Sequence, residues 1–251
     1  MLFLSKRFSF YGWISFFIKF SVFSLLLVAA ALSVGNLLFR AEEKLSVQAG
    51  ESLSCVTVVV DAGHGGRDGG ASADDDGTLE KDLNLAVAKK LKALLETANV
   101  RVVMTREDDI ELASPDSPHK KLDDLSARVR IAEKETNAIL VSIHMNKFPI
   151  EKYSGLQVYY STNHKNSPIL AETVQKGALS SFPEMSVRKT KPARDIYLME
   201  QLQIPAILVE CGFLSNYEEK EKLKTEEYQK MLAMRIYASL LSYLSEYAPD
   251  T

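Results

Sequence analysis

The sequence has only two cysteines, Cys55 and Cys211, which excludes a scaffold built on a framework of disulfides. Its 12 glycines and 8 prolines are too few for a collagen-like or low-complexity chain, and no repeat of solenoid or propeller period is present. Hydrophobic residues make up 46% of the 251, which is enough to bury one sizeable core. A single globular domain is therefore predicted.

The sequence also lacks an excess of basic residues over most of its length. Residues 1–40 contain four Lys and Arg and no acid, which leaves 26 basic residues against all 33 acidic ones, a net charge of −7, in the remainder. Phosphate backbones are bound by clusters of Lys and Arg, and no basic stripe is present. Nucleic acid is therefore not expected as a partner.

One long hydrophobic run is present near the N-terminus. Phe20–Phe39 contains no charged residue and, as a helix, would span roughly 30 Å, the thickness of one hydrocarbon core. Lys6, Arg7 and Lys19 precede the run, and the positive-inside rule then leaves the N-terminus in the cytoplasm. We expect this helix to contact a membrane and to export the rest of the chain.

Two explanations of this N-terminal segment remain open. It is either an uncleaved anchor or a signal sequence, and the small residues Ala29–Ala31 offer a cleavage site, although they lie in mid-run. The predicted organisation is a membrane anchor or signal sequence over 1–40, a polar linker over 41–54 and a folded domain over 55–251. The domain would be held at the outer face of a membrane, or secreted.

Apolar, β-branched runs alternate with helical patterns through the predicted domain. Strands are predicted at Val56–Asp61, Val100–Thr105, Ala138–Ile143, Gly155–Ser161 and Pro205–Glu210. Helices are predicted from Leu79 to Leu95 with Thr78 as N-cap, and at Asp123–Glu135 and Pro168–Leu179, and one or two helices are predicted over Lys222–Tyr247. This alternation predicts an α/β fold: a single domain with a mostly parallel, twisted sheet and helices on both faces.

A glycine-rich turn follows the first predicted strand. The stretch Val58–Ala71, VVVDAGHGGRDGGA, has five glycines within eight residues. A dinucleotide-binding turn needs G-x-G-x-x-G, and Gly63 and Gly65 fit the first two places, but Asp68 occupies the third. A P-loop needs a lysine that the turn lacks, and its acidic residues would repel an anion. The turn is therefore not predicted to hold phosphate.

Three chemically capable side chains lie at the carboxyl ends of predicted strands, where α/β sheets bind their ligands. His64 follows the first strand, His144 follows the third, and Glu210 ends the last. Two histidines and a carboxylate make a catalytic zinc set, and Glu80, in the first turn of the next helix, is the candidate third ligand. Glu210 would then carry a proton from water to the leaving amine.

Each of these residues also has an ordinary structural explanation. A histidine after a strand can be a hydrogen-bonded loop residue, Glu80 can favour the helix dipole, and Glu210 can simply end a strand. Their joint occurrence at strand ends that converge on one crevice favours the metal site.

The roles of five further charged residues are left open by the sequence. Asp61 or Asp68 could orient His64, or could hold the turn by local hydrogen bonds. Arg106, Arg128 and Arg194 could bind a substrate carboxylate or form surface ion pairs.

Several motifs run in order through the predicted domain. They are VVVDAGHGGRDGGA, LEKDLNLAVAKKL, VMTR, LVSIHMN and PAILVECGFLSN. With these motifs the sequence resembles the zinc-dependent N-acetylmuramoyl-L-alanine amidases of the amidase 3 family, over nearly all of the part that follows the linker. The short domain behind an N-terminal anchor is most similar to the germination-specific, spore-cortex branch of that family.

The resemblance implies a ligand set, a reaction and a substrate. His64, Glu80 and His144 match the family's zinc-ligand positions, and Glu210 matches its catalytic glutamate. The implied reaction is hydrolysis of the amide between N-acetylmuramic acid and the L-alanine of the peptidoglycan stem peptide, leading in the spore branch to muramic-lactam. Lys147 departs from the alanine of many relatives, which affects the rim of the site and not a ligand.

The resemblance also bears on control and on alternatives. The segment Pro149–Gly155 is too short for the blocking helix of larger relatives, so the site is either open or controlled by a protein partner. The competing hypotheses are a non-catalytic peptidoglycan-binding module and a zinc carboxypeptidase. The complete candidate set argues against the first, and the LVSIHMN and VECGFLSN motifs argue against the second.

Overall fold

A computed structural model of the chain describes residues 55–73, 76–181 and 188–247. The predicted anchor or signal sequence over 1–40 and the predicted linker over 41–54 lie outside the described residues. Within the described part of the chain, none of the helices combines the length and the apolar character needed to span a membrane.

The described residues form an alternating series of strands and helices. The strands are β1 (Thr57–Ala62), β2 (Arg101–Met104), β3 (Ala138–Asn146), β4 (Gln157–Tyr160), β5 (Lys191–Pro192) and β6 (Ala206–Phe213). The helices are α1 (Glu80–Thr97), α2 (Lys120–Glu133), α3 (Ser167–Ser181), α4 (Tyr197–Gln201), α5 (Tyr217–Leu223) and α6 (Glu226–Tyr247). The predicted α/β fold is confirmed.

The strands form one six-stranded sheet in the order β2-β1-β3-β6-β4-β5. β1 pairs in parallel with β2 and β3, and β3 pairs in parallel with β6. β4 runs antiparallel to β6 and parallel to β5. The chain leaves β3 at its carboxyl end and enters β4 after only ten residues, which is too short for the crossover that a parallel strand needs. The sheet is therefore mostly parallel, as predicted.

Helices cover both faces of the sheet, also as predicted. Val58 and Val60 of β1 point into a large core shared with α1, α3 and α6, whereas Val59 between them points into a smaller core shared with α2 and α4. β1 is buried along its whole length, which explains its continuous apolar sequence. Each fully buried Val or Leu side chain contributes about 1.5–3 kcal/mol to folding.

Several element boundaries differ from the prediction. The N-cap of α1 is Leu79 and not Thr78, because the Thr78 hydroxyl donates to Asp76 instead, at 2.7 Å. β3 and β6 continue past His144 and Glu210, so both side chains project from within strands. The short elements β5 and α4 have too few residues to show a periodic pattern in sequence.

Candidate metal centre

The glycine-rich turn begins where β1 ends, and it places His64 in an unusual backbone conformation. The Gly63 amide continues the sheet ladder by donating to the carbonyl of Ile143 at 3.1 Å. His64 then has a φ of 62°, in the left-handed region that a residue with a side chain seldom occupies. Gly65 and Asp68 close the turn with reciprocal backbone hydrogen bonds of 2.9 and 3.1 Å. Such strain persists only where the surroundings over-determine the conformation.

Two buried arginines hold the carbonyl groups of this turn. Arg106 donates to the carbonyl oxygens of Ala62 and Gly63 at 2.9 and 3.0 Å. Arg128 donates to those of Ala62 and His64 at 2.8 and 2.7 Å. Each of the two arginine residues is only 2% exposed, which excludes a surface ion pair as its role. These arginines fix the path of the chain around His64.

Asp61 supports Arg128 and does not contact His64. The carboxylate accepts hydrogen bonds from Arg128 at 2.7 Å and from the Thr105 hydroxyl at 2.7 Å, and Ser142 is a third donor. Burial alone would raise the pKa of Asp61, but the Arg128 charge and the two hydroxyls lower it to about 2. Of the two candidates for orienting the histidine, Asp61 is therefore the wrong one.

Asp68 is the residue that orients His64. Its Oδ2 lies 2.8 Å from the histidine Nδ1, which leaves Nε2 directed at the crevice. Lys121 donates to the same carboxylate oxygen. Burial raises the pKa of Asp68, but Lys121 and His64 hold it well below its ordinary value. Arg194, the remaining residue of this group, is exposed.

Glu80, the first residue of α1, lies between the two histidines. Its Oε1 is 3.2 Å from His64 Nε2 and 2.8 Å from His144 Nδ1. One ligand atom from each of the three residues lies within 4.8 Å of the other two. Burial raises the pKa of the Glu80 carboxyl, but the two imidazoles bring it well below its ordinary value. Burial lowers the pKa of His144, and the Glu80 carboxylate raises it above its ordinary value.

Neighbouring groups fix the orientation of the Glu80 carboxylate. The backbone amides of Ala71 and Met145 donate to Oε2 and Oε1 at 2.8 and 3.2 Å. Asn84, one helical turn along α1, donates to Oε1 at 3.2 Å and to the Gly63 carbonyl at 3.1 Å. These bonds link the carboxylate to the glycine turn and to β3 at once.

Two glycines leave the space that the ligand side chains occupy. A Cβ atom added at Gly63 would lie 2.2 Å from Nε2 of His144. A Cβ added at Gly70 would lie 2.6 Å from Oε2 of Glu80 and 2.7 Å from Cδ2 of His64. Real Cβ atoms do not approach other atoms so closely, so the turn needs glycine at both positions for space, and at Gly70 also for its left-handed φ of 67°.

The donor set fits zinc. Two imidazole nitrogens and one carboxylate oxygen are a set that catalytic zinc sites use, with one further position left for water or substrate. His64, Glu80 and His144 bring those atoms together, and Asp68 holds one imidazole from outside, as is usual at zinc sites.

Glu210 lies directly opposite His144 in the pairing of β6 with β3. Its Oε2 is buried and has no hydrogen-bond partner among the described residues. Burial raises the pKa of Glu210 to about 7, with Glu80 adding to the rise and His144 opposing it. A carboxyl group with a pKa near neutrality beside a metal-ligand set is suited to proton transfer.

Residues 58–242 match the family model described as N-acetylmuramoyl-L-alanine amidase, or Amidase_3. The chain belongs to this amidase family. The Bacillus subtilis germination-specific N-acetylmuramoyl-L-alanine amidase is 36% identical over 197 residues, which cover 77% of this chain and 82% of that protein. The predicted family and the prediction of an enzyme are both confirmed.

Solved amidase structures agree with this assignment. The CwlD amidase from Clostridioides difficile, solved in complex with the GerS lipoprotein, is 39% identical with a TM-score of 0.73, over 76% of this chain and 98% of that one. The amidase AmiC2 of Nostoc punctiforme is 35% identical with a TM-score of 0.66, over 76% of this chain and 97% of that one. The similarity to N-acetylmuramoyl-L-alanine amidases is thus found in sequence and in structure.

The sequence missed the residues that hold the amidase site in place. Asn84 follows Glu80 by four residues and so lies on the same face of α1. This helical spacing could have indicated the contact between the two side chains. The positions of Arg106 and Arg128 carry no such signal, because both reach the turn across more than 40 residues of sequence.

Proposed function

We propose that this amidase hydrolyses the amide bond between N-acetylmuramic acid and the L-alanine of the peptidoglycan stem peptide. The ligand set would be His64, Glu80 and His144, the metal zinc, and the proton carrier Glu210. The observation that carries the proposal is the position of Glu210, whose buried carboxyl lies opposite one candidate ligand and lacks a hydrogen-bond partner among the described residues.

Zinc bound by these three side chains would act as a Lewis acid, polarising a carbonyl oxygen and lowering the pKa of water. Glu210 would accept the proton that the attacking water loses and deliver it to the nitrogen of L-alanine as the amide bond breaks. The products are a free lactyl carboxyl on the sugar and a free peptide amine. A pKa of about 7 without metal suits a group that both takes and gives a proton.

The surrounding side chains serve this chemistry by limiting movement. Asp68 fixes the ring of His64, and Asn84 fixes the carboxylate of Glu80. Arg106 and Arg128 hold the carbonyls of the turn, so the ligand positions are preorganised by buried hydrogen bonds.

The biological setting that we propose is the spore cortex. The Bacillus subtilis relative is named as germination-specific, and the Clostridioides difficile structure contains a lipoprotein beside the amidase. We propose that residues 55–251 are the catalytic domain, that residues 1–40 export it as an anchor or cleaved signal, and that a protein partner activates or positions it. Its product would lead on to muramic-lactam.

The test is digestion of purified peptidoglycan followed by mass spectrometry of the soluble products. The amidase releases stem peptides that begin with L-alanine and leaves intact glycan chains. A carboxypeptidase would release single amino acids instead, and a binding module would sediment with the wall and release nothing. Glu210→Gln, which keeps the shape of the side chain, is the matched control and should release no peptide above background.

Zinc content tests the ligand assignment separately. Elemental analysis of the purified chain should give one zinc per chain for the wild type and for Glu210→Gln. His64→Ala should give substantially less. One zinc per chain in His64→Ala would contradict the proposed ligand set, whatever the activity of that variant.

A further inference from the structure

An open groove of about 310 Å³ lies between the loops that follow β3 and β6. Because His144 and Glu210 are opposite one another on these strands, the groove begins only three to four residues beyond the pair, roughly 10–13 Å along the strands. We name it the aromatic groove, and its lining includes Lys147, Phe148, Glu151, Leu214, Ser215 and Tyr217.

Exposed apolar side chains are concentrated around this groove. Phe148 is 45% exposed and Tyr217 is 67% exposed, and Ile150 and Tyr153 are exposed in the same two segments. These are four of the eight exposed large hydrophobic side chains in the described part of the chain. An apolar concentration of this kind beside a catalytic site indicates a surface that binds something.

Hydrogen bonds between the two loops fix the walls of the groove. The Phe148 amide donates to the Ser215 hydroxyl at 3.1 Å, and the Asn216 side chain donates to the Glu151 carbonyl at 2.8 Å. Lys147 reaches the other way and donates to the Ser72 carbonyl in the glycine-turn region at 2.9 Å. The groove is therefore connected to the candidate metal centre.

A buried carboxylate joins the two chain segments that carry the groove. Glu219 accepts from the backbone amides of Phe213 and Gly155 at 2.7 and 2.8 Å, joining the end of β6 to the start of the β4 segment. Asn216 caps the helix that carries Glu219. A groove held in this way loses little conformational freedom when it binds a ligand.

We propose that the aromatic groove binds the glycan strand of peptidoglycan, a chain of N-acetylated amino sugars. One face of such a sugar ring presents C–H groups with partial positive charge, which suits the negative face of the Phe148 ring and the face of the Tyr217 ring that is turned away from Lys220. The Ser215 hydroxyl and the carboxylate of Glu151 offer hydrogen-bonding groups to the hydroxyl and acetamido groups of the sugar.

This inference rests on the proposed function, because the scissile amide then has a sugar on one side and a peptide on the other. The sugar part and the peptide part of the substrate therefore need separate binding surfaces. A second groove of about 220 Å³ is lined by His64 and His144, together with Lys121, Asp195 and Tyr197. The aromatic groove carries two exposed aromatic rings, Phe148 and Tyr217, whereas Tyr197 in the second groove is only partly exposed, so the sugars are assigned to the aromatic groove.

The first experiment measures sugar binding without hydrolysis. The full chain is titrated with tetra-N-acetylchitotetraose, a peptide-free chain of four N-acetylglucosamines, by calorimetry. Phe148→Ala and Tyr217→Ala should each raise the dissociation constant about fivefold, which corresponds to the usual binding free energy of one aromatic contact. Met234→Ala is the matched control, since Met234 is 45% exposed on α6 and does not line the groove.

The second experiment compares two hydrolysable substrates. One is a peptidoglycan fragment with at least four sugars, and the other is muramyl dipeptide, which has one sugar. In Phe148→Ala and Tyr217→Ala, the ratio of kcat/KM for the long substrate to kcat/KM for the short one should fall about fivefold. The cause should be a higher KM for the long substrate.

Two results would overturn the proposal. The first is a binding result: either the wild-type chain does not bind chitotetraose, or the two variants bind it as tightly as the wild type does. The groove would then bind another ligand, such as a protein. The other is an unchanged substrate ratio. A wild type that binds chitotetraose but releases no peptide from peptidoglycan would instead contradict the proposed reaction while the sugar site remained.

Discussion

Glu210 and His144 are register partners on adjacent parallel strands, so one sheet pairing positions the candidate proton carrier beside a candidate metal ligand. The register shifts just beyond this pair, between His144 and Asn146. Side chains at paired positions of a sheet project to the same face. The pairing of β3 with β6 therefore fixes the position of Glu210 relative to the candidate ligand His144.

Glu210→Gln should lose hydrolysis while keeping zinc. The amide has nearly the shape of the carboxyl group but carries no proton between water and the leaving amine, so kcat should fall by about 10²–10⁴-fold. Peptide release from peptidoglycan and elemental analysis give the two readouts. Activity within a few-fold of the wild type would exclude Glu210 as the proton carrier.

Asp68→Asn should weaken zinc binding without removing a ligand. Asp68 accepts from His64 Nδ1, and loss of such a partner usually lowers metal affinity by about 10–100-fold. Competition with a chelator measures the affinity. Asp116→Asn, an exposed position in the loop before α2, is the control and should bind zinc as the wild type does.

Gly70→Ala should damage the site far more than Gly77→Ala. Both glycines have left-handed backbones, with φ of 67° and 72°, so the conformational cost of about 1–2 kcal/mol is common to both. An added Cβ meets Glu80 and His64 at Gly70, whereas none of the described atoms lies within 4 Å of it at Gly77. Zinc affinity should fall in the first variant only, and equal affinities would show that the space at Gly70 is unimportant.

Asp61→Asn should destabilise the fold by about 1.5–3 kcal/mol at pH 7, because the buried Arg128 charge keeps Asp124 but loses its other carboxylate partner. Denaturant unfolding of the two proteins measures the difference. A difference below 1 kcal/mol would contradict the structural role of this pair.

The Asp61 carboxylate also makes the free energy of unfolding depend on pH. The pKa of Asp61 is about 2 in the folded protein, below the ordinary value of 3.8, so its stabilisation is present above about pH 4 and is lost as the pH falls towards 2. The stability difference between the wild type and Asp61→Asn should therefore shrink across that interval. Urea titrations at pH 7, 4 and 3 follow it, and a constant difference would assign the effect to something other than ionisation.

The sequence predicted the parts of the fold that have a strong local pattern. β1, β3 and β6 are long apolar runs, and the parallel-sheet rule then brought His64, His144 and Glu210 to one crevice. Glu80 was predicted because the helix after the turn starts on the same side of the sheet.

What the sequence could not provide depends on contacts between distant segments. The guanidinium of Arg128 reaches the carbonyl of His64 across 64 residues, and nothing local distinguishes it from a surface arginine such as Arg194. The left-handed backbone of His64 is likewise imposed by its surroundings and not by residue type. Two-residue β5 is too short to be predicted at all.

The order of the site residues along the chain has a consequence for biosynthesis. The candidate ligands and the arginines that hold them all lie between β1 and the end of β3, whereas Glu210 follows more than 60 residues later on β6. If the domain is exported as proposed, a chain that leaves the translocation machinery N-terminus first exposes all the candidate metal ligands before the candidate proton carrier emerges. Metal could therefore be acquired during export, ahead of any capacity to cut the wall.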